Sequence, residues 1–116
     1  MRSTVLAFTA VLVAAVPAVA DGIYRGASSV AGGRDPVCAG VTSMNAVVSG
    51  SDIRLDGAVY EGAAAPGTGT VKSDGSFTAT KPSDKGDIHF TGKVTAKRVS
   101  AQWKGPDCYG AIDLAK

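Results

Sequence analysis

From residue 21 onward, apolar and polar residues alternate in short runs, and no stretch sustains the three-to-four spacing of an amphipathic helix. Gly, Pro, Asp and Ser punctuate the runs at intervals of about 8 to 12 residues, the rhythm of an antiparallel all-β sandwich or barrel. The alternation predicts strands over residues 22 to 30, 42 to 49, 52 to 60, 67 to 72, 76 to 81, 87 to 95, 98 to 104 and 108 to 115. Strands that follow one another this closely predict an all-β fold, a small antiparallel meander of about eight strands closing into a barrel or a flattened sandwich.

Turn chemistry sets the register of three hairpins, because a slip of one residue turns every side chain to the opposite face. A two-residue loop at Gly50-Ser51 places Val48 opposite Ile53, Ala46 opposite Leu55 and Met44 opposite Gly57, all on one face. In "KSDGSF" a three-residue loop, Ser73-Asp74-Gly75, makes Val71 and Phe77 neighbours, with Gly75 taking the positive φ that costs glycine nothing. A loop at Ala96-Lys97 pairs Val94 with Val99, Gly92 with Ala101 and Phe90 with Trp103, although neither residue is a strong turn former.

Two segments echo each other: "DIRLDGAV", residues 52 to 59, and "DIHFTGKV", residues 87 to 94. Their shared positions, Ile53 with Ile88, Leu55 with Phe90, Gly57 with Gly92 and Val59 with Val94, form the inward set. The outward residues differ: Arg54, Asp56 and Ala58 against His89, Thr91 and Lys93. The repeat is therefore a strand built twice rather than a site used twice. A mid-strand glycine marks a bend or a close backbone approach, so Gly57, Gly92 and Gly69 are expected where a small sheet must curl.

The first 20 residues have another character. Arg2, an apolar run from Val5 to Val16 and the small residues Ala18-Val19-Ala20 have the order of a cleavable secretory signal peptide, too short in its apolar part for a membrane span. Asp21 in place of a cysteine argues against a lipid anchor. Cleavage after Ala20 would leave residues 21 to 116 as one β domain, in the periplasm or outside the cell. Of the 12 Lys and Arg in the chain only Arg2 is lost with the signal, against 10 Asp and Glu, so the mature domain is nearly neutral. That balance excludes the concentrated basic field that nucleic-acid binding requires. Lys93, Lys97, Arg98 and Lys104 are read as the solvated face of one hairpin.

The two cysteines, Cys38 and Cys108, are expected to form a disulfide in an oxidising compartment. Closing a loop of about 70 residues stabilises a fold by roughly 4 kcal/mol, a large share of the roughly 5 to 10 kcal/mol available to a small domain. No C-x-x-C spacing suggests redox chemistry, and His89 has no ligand-like companions, so no metal or other cofactor is expected.

No nucleophile, acid-base pair or metal cluster stands out from the turn residues, and the chain is read as non-enzymatic. His89 is placed on the outer face as a surface histidine, and Asp52, Asp56 and Asp87 as turn and surface residues. "GTGTVK", residues 67 to 72, leads into a strand and lacks the helix of a phosphate cradle. Phe77, Phe90 and Trp103 fall on inward positions and are assigned to the core. Tyr24, Tyr60 and Tyr109 are candidates for partly exposed recognition residues, an apolar body with a polar tip. The irregular segment "AGGRDPVCAG", residues 31 to 40, fixed by Cys38, would project Arg34 and Asp35 as a rigid binding loop.

"GIYRG", the repeated Φ-x-Gly-x-Val strands, "WKGPDCYG" and the closing "IDLAK" together resemble small exported β-rich proteins of proteobacteria. The resemblance implies an exported β domain and names no activity. "GIY" is also similar to the Gly-x-Trp opening of lipocalin and avidin barrels, with Tyr24 in place of the tryptophan; a 96-residue barrel would be narrow for a ligand cavity.

Three functions fit these features. The first is a non-catalytic module that binds a protein or glycan through the stapled loop and exposed tyrosines. The second is a secreted inhibitor of a hydrolase such as a lysozyme or protease, acting through Arg34. The third is a carrier of a small apolar ligand, which needs an internal void. Open edges on the first and last strands would allow a dimer as well as a monomer.

Overall fold

The alternating segments form eight antiparallel strands in the computed structural model, which describes residues 20 to 33, 38, 41 to 59 and 65 to 116. They are β1 (Gly22–Gly33), β2 (Val41–Ser49), β3 (Asp52–Asp56), β4 (Gly67–Val71), β5 (Ser76–Lys81), β6 (Ile88–Val94), β7 (Arg98–Lys104) and β8 (Cys108–Ala115). Each strand pairs with the next, and β8 returns to β1 to close the barrel. That closure removes the free edges on which the expectation of an edge-paired dimer depended. The turns after β2, β4 and β6 lie at one end of the barrel, and the short turn after β7 lies at the other with the longer connections.

All three hairpin registers are as the turn chemistry requires: Val48 faces Ile53, Val71 faces Phe77, and Val94 faces Val99. Gly75 takes φ +90°, and a Cβ there would stand 2.5 Å from the Val94 carbonyl oxygen, so both conformation and space demand glycine. Asp74 completes this turn by accepting from the Ser76 amide at 2.9 Å and its hydroxyl at 2.6 Å. These hydrogen bonds hold the Asp74 carboxyl below the usual carboxylate range. At Ala96-Lys97 the turn is closed by Thr95, whose hydroxyl oxygen accepts from the Arg98 amide at 3.0 Å and the Lys97 amide at 3.3 Å.

Two strands differ from the alternation pattern. β3 stops at Asp56, short of residue 60, because Gly57 takes φ +121°, where a Cβ would meet the Ser43 carbonyl oxygen at 2.6 Å. The two echoed segments thus share a burial pattern but not a backbone. β1 runs on through Gly33 because it pairs with β8 past a bulge at Ala31, between Val30 opposite Gly110 and Gly32 opposite Tyr109. The first three residues of the supposed loop over residues 31 to 40 are therefore strand.

The interior is filled by matching large side chains to small neighbours across the strands. Phe77 faces Gly92, Phe90 faces Ala79, Trp103 faces Gly110, and Ile53 faces Gly69. A Cβ on Gly92 would lie 2.1 Å from the Ser100 carbonyl oxygen and one on Gly69 2.0 Å from that of Thr78, which places these glycines where the sheet curls. Trp103 also donates its indole N–H to the Ser28 hydroxyl at 3.0 Å, satisfying a buried polar group on each side of the seam between β1 and β8.

Tyr24 lies at the end of the barrel that holds the turns after β2, β4 and β6, fully buried, and its hydroxyl reaches the Ala20 carbonyl at 2.5 Å and the Thr95 carbonyl at 2.9 Å. The expectation that Tyr24 is an exposed recognition residue is corrected: in β1 it is Ile23 that faces outward, and Tyr24 that plugs the core. Burial, with the charge of Asp21, raises the Tyr24 hydroxyl above its ordinary pKa. At the opposite end Lys81 follows Phe77 and Ala79 on the inward face of β5 and is itself buried. Its ammonium donates to the Ala65 carbonyl. Burial lowers its pKa, offset in part by Asp56.

These two groups give opposite pH signatures. The raised Tyr24 pKa contributes stability that is complete below about pH 10 and is lost as pH rises through the folded value. Tyr24→Phe should cost about 1 kcal/mol at neutral pH by removing the hydroxyl's hydrogen bond, and should lose that alkaline decline. Denaturant titration across the range checks both. The lowered Lys81 pKa means that the unfolded chain binds more protons, so this residue opposes folding at neutral pH and is relieved as pH approaches about 10. Lys81→Met should therefore add about 1 kcal/mol at pH 7, a gain that shrinks under alkaline conditions. A loss of stability at pH 7 would show that the hydrogen bond to Ala65 outweighs desolvation of the amine.

Candidate functional site

Because side chains alternate across each strand, closure of the barrel assembles a second set of neighbours on its outer surface. Register puts His89 of β6 directly opposite Lys104 of β7, and Lys104 opposite Tyr109 of β8. In the adjacent row Thr91 faces Gln102 and Gln102 faces Ala111. Directly opposed residues have Cβ atoms about 5 Å apart, so each row is a continuous strip of side chains. The two rows and Ala31 line an outer groove of about 740 Å³ towards the end of the barrel with the longer connections. That volume falls within the range of small-molecule sites.

The groove owes its shape to the seam between β1 and β8. Ala31 is the bulged residue, and the strand bends there. Gly32 leaves room for the Tyr109 ring: a Cβ on it would stand 2.5 Å from the Tyr109 hydroxyl oxygen and 2.7 Å from the ring carbon that bears it. The ring thus lies against the backbone of β1, and the residue remains 52% exposed. Beneath it, inside the barrel, the Trp103 indole covers Gly110 in the same manner, at 2.7 Å from a Cβ built there. An aromatic side chain whose tip rests on the backbone and whose surface is half open is already positioned, and contact with it needs little further ordering.

The disulfide fixes the neighbouring end of β8. Cys38 and Cys108 are bonded with their Cα atoms 5.5 Å apart, and a Cβ on Gly33 would touch the Cys38 sulfur at 2.7 Å. Tyr109 therefore follows immediately after a cross-linked residue. Such a bond in a chain of this size points to an oxidising compartment outside the cytoplasm.

Charge is distributed unevenly around the groove. Arg98 holds Asp113 through three hydrogen bonds of 2.8, 2.9 and 3.2 Å, and Lys85 approaches Asp107 at 3.6 Å. None of the described lining residues is a carboxylate, whereas Lys104 and His89 both contribute nitrogen atoms. The basic hairpin face read from the sequence is thus divided, with Arg98 engaged by Asp113 and Lys104 directed to the groove.

Of the residues singled out from the sequence, Tyr109 lines this groove, the disulfide of Cys38 and Cys108 lies beside it without lining it, and Tyr24 is in the core. Arg34, Asp35, Tyr60 and the signal segment up to Val19 lie outside the described residues. Sequence reasoning left His89 as an isolated surface residue and Lys104 in a solvated charge group. The hairpin at Ala96-Lys97 already implied that they face one another across β6 and β7. What it lacked was the register of β7 against β8, which brings in Tyr109.

Among the described residues no group of three or more His, Cys, Asp or Glu is placed to hold a metal ion, and no helix is long and apolar enough to cross a membrane. No family model, curated protein or solved structure matches the chain.

Proposed function

We propose that the protein is an exported, non-catalytic binding module, periplasmic or extracellular, that holds a saccharide in the groove on the outer face of its barrel. The observation that carries this reading is the half-exposed Tyr109 ring, whose hydroxyl end rests against Gly32. A sugar ring presents apolar C–H groups on one face and hydroxyls around its edge. The Tyr109 ring suits the first, and Thr91, Gln102 and His89 offer donors and acceptors for the second. Glycan recognition accordingly explains the groove better than recognition of a protein does.

The other functions have less to stand on. A carrier of apolar ligands needs space where Phe77, Phe90 and Trp103 are packed. An inhibitor acting through Arg34 rests on a residue outside the described structure. Export is supported by the disulfide and by the signal-like order of residues 1 to 20.

Titration of the disulfide-bonded protein against a panel of neutral and charged oligosaccharides tests the reading. At least one should bind, and Tyr109→Ala should weaken it by about tenfold, as expected for loss of a central aromatic contact. The variant should melt within about 1 kcal/mol of the parent, since the ring makes a cross-strand contact on the outer face only. Binding that survives Tyr109→Ala, or a panel with no binder, overturns the assignment.

A further inference from the structure

The outer rows do not end at the groove. Beyond His89 the first continues to Thr80 and Thr68, and beyond Thr91 the second continues to Thr78 and Thr70. All four threonines are exposed. The two rows therefore form one track across β4, β5, β6, β7 and β8. It begins in paired threonine hydroxyls, passes His89 and Lys104, and ends at the Tyr109 ring. Successive strands are about 4.8 Å apart, so the track offers a polar group at each step of roughly that length for about 19 Å.

From this juxtaposition we infer that the ligand is an extended acidic glycan, a uronate-type chain lying across the strands. A terminal or near-terminal sugar stacks on Tyr109, a carboxylate sits between His89 and Lys104, and the following residues run over Thr91, Thr78 and Thr80. The inference rests on the saccharide reading of the groove and specifies its ligand.

Charge complementarity singles out an acid. Lys104 and His89 are direct cross-strand neighbours, so one carboxylate can meet both. None of the described lining residues brings a competing negative charge; of the acids nearest in sequence, Asp107 and Asp113 face Lys85 and Arg98, and Asp87, two residues before His89, does not line the groove. A lysine ammonium offers three donors and no acceptor, which suits a carboxylate better than a hydroxyl that must both give and accept. The threonines account for chain length. Hydroxyls in a regular double row can exchange hydrogen bonds with successive sugars, and their methyl groups supply apolar contact.

Oligogalacturonates of two and of six residues, each compared with its methyl ester, provide the probes. The ester keeps the sugar, the linkage and the ring face and replaces each carboxylate by a neutral group one methyl larger. The free acid should bind more tightly than the ester by about fivefold, the scale of one exposed ion pair, and should lose that margin at high ionic strength. Lys104→Gln should remove the margin, weakening the acid by about fivefold more than it weakens the ester. The hexamer should bind more tightly than the dimer, and Thr78→Val with Thr80→Val should erase the gain from length without altering dimer binding.

The outcomes separate the two levels of the proposal. If ester and acid bind alike and Lys104→Gln changes neither, the acidic ligand is wrong, while a tenfold loss in Tyr109→Ala would keep the groove as the saccharide site. If acid binding is salt-sensitive but indifferent to Lys104→Gln, the carboxylate is read elsewhere and the inference fails. If neither probe responds to Tyr109→Ala, the groove itself is not the site and both levels fall together. Circular dichroism and thermal melting of each variant, expected to match the parent because every altered residue faces outward, distinguish lost binding from lost fold.

Discussion

The return of β8 onto β1 is the pairing on which the rest of the structure depends. It joins segments about 80 residues apart, satisfies the backbone groups of both edge strands and turns a curled meander into a barrel. The seam is gripped from both faces. Inside, the Trp103 indole reaches across β8 to the Ser28 hydroxyl of β1. Outside, the hydroxyl end of the Tyr109 ring rests against Gly32. At one end the disulfide attaches Cys38 to the first residue of β8. Long-range pairing of this kind forms late and slowly relative to the hairpins, because its loop-closure entropy must be met before its contacts form. A covalent tie across the same connection reduces that entropy in the unfolded chain.

A barrel of short strands has little interior volume, and its sequence meets that limit through complementary sizes. Phe77, Phe90, Trp103 and Ile53 each have a glycine or alanine as one of their two cross-strand neighbours, so the core fills without forcing the strands apart. The glycines serve twice, giving up volume to a neighbour and letting the backbone bend towards it. Among the described residues Lys81 is the charged side chain that is buried. Its stem continues the apolar column of Phe77 and Ala79, and its ammonium is placed where a carbonyl of the connection before β4 can receive it. Thr42, inward on β2 beside Ser28, has a buried hydroxyl without a hydrogen-bond partner, a second polar group left among apolar ones at that end.

Most of the fold was legible from local signals. Loop length and turn chemistry at Gly50-Ser51 and at Asp74-Gly75 determine the inward faces of β2, β3, β4 and β5, and the echoed segments repeat that face in β6. Elsewhere the deciding contacts are remote. The parity of β1 cannot come from a hairpin, since a longer connection separates it from β2, and so Tyr24 read equally well as exposed. The bulge at Ala31 exists only against β8, and no local feature distinguishes Gly32 from any loop glycine. For the candidate site, Tyr109 was visible as a residue and its setting was not: its support comes from a glycine 77 positions earlier, and its charged neighbours come from two other strands. The inward place of Lys81 followed from the register of β5, but its charge pointed the other way.

The period of two along every strand divides the labour of the chain between odd and even positions. In β8, Cys108, Gly110 and Ile112 face the core while Tyr109 and Ala111 face the groove; in β7, Ala101 and Trp103 alternate with Gln102 and Lys104. Neighbours in sequence therefore answer to separate demands, one to packing and the next to the outer surface. Substitutions at outward positions can accumulate without passing through a misfolded intermediate. A barrel of this kind can change its outer surface faster than it can change how it folds, and related chains should diverge at alternate residues within the same strands.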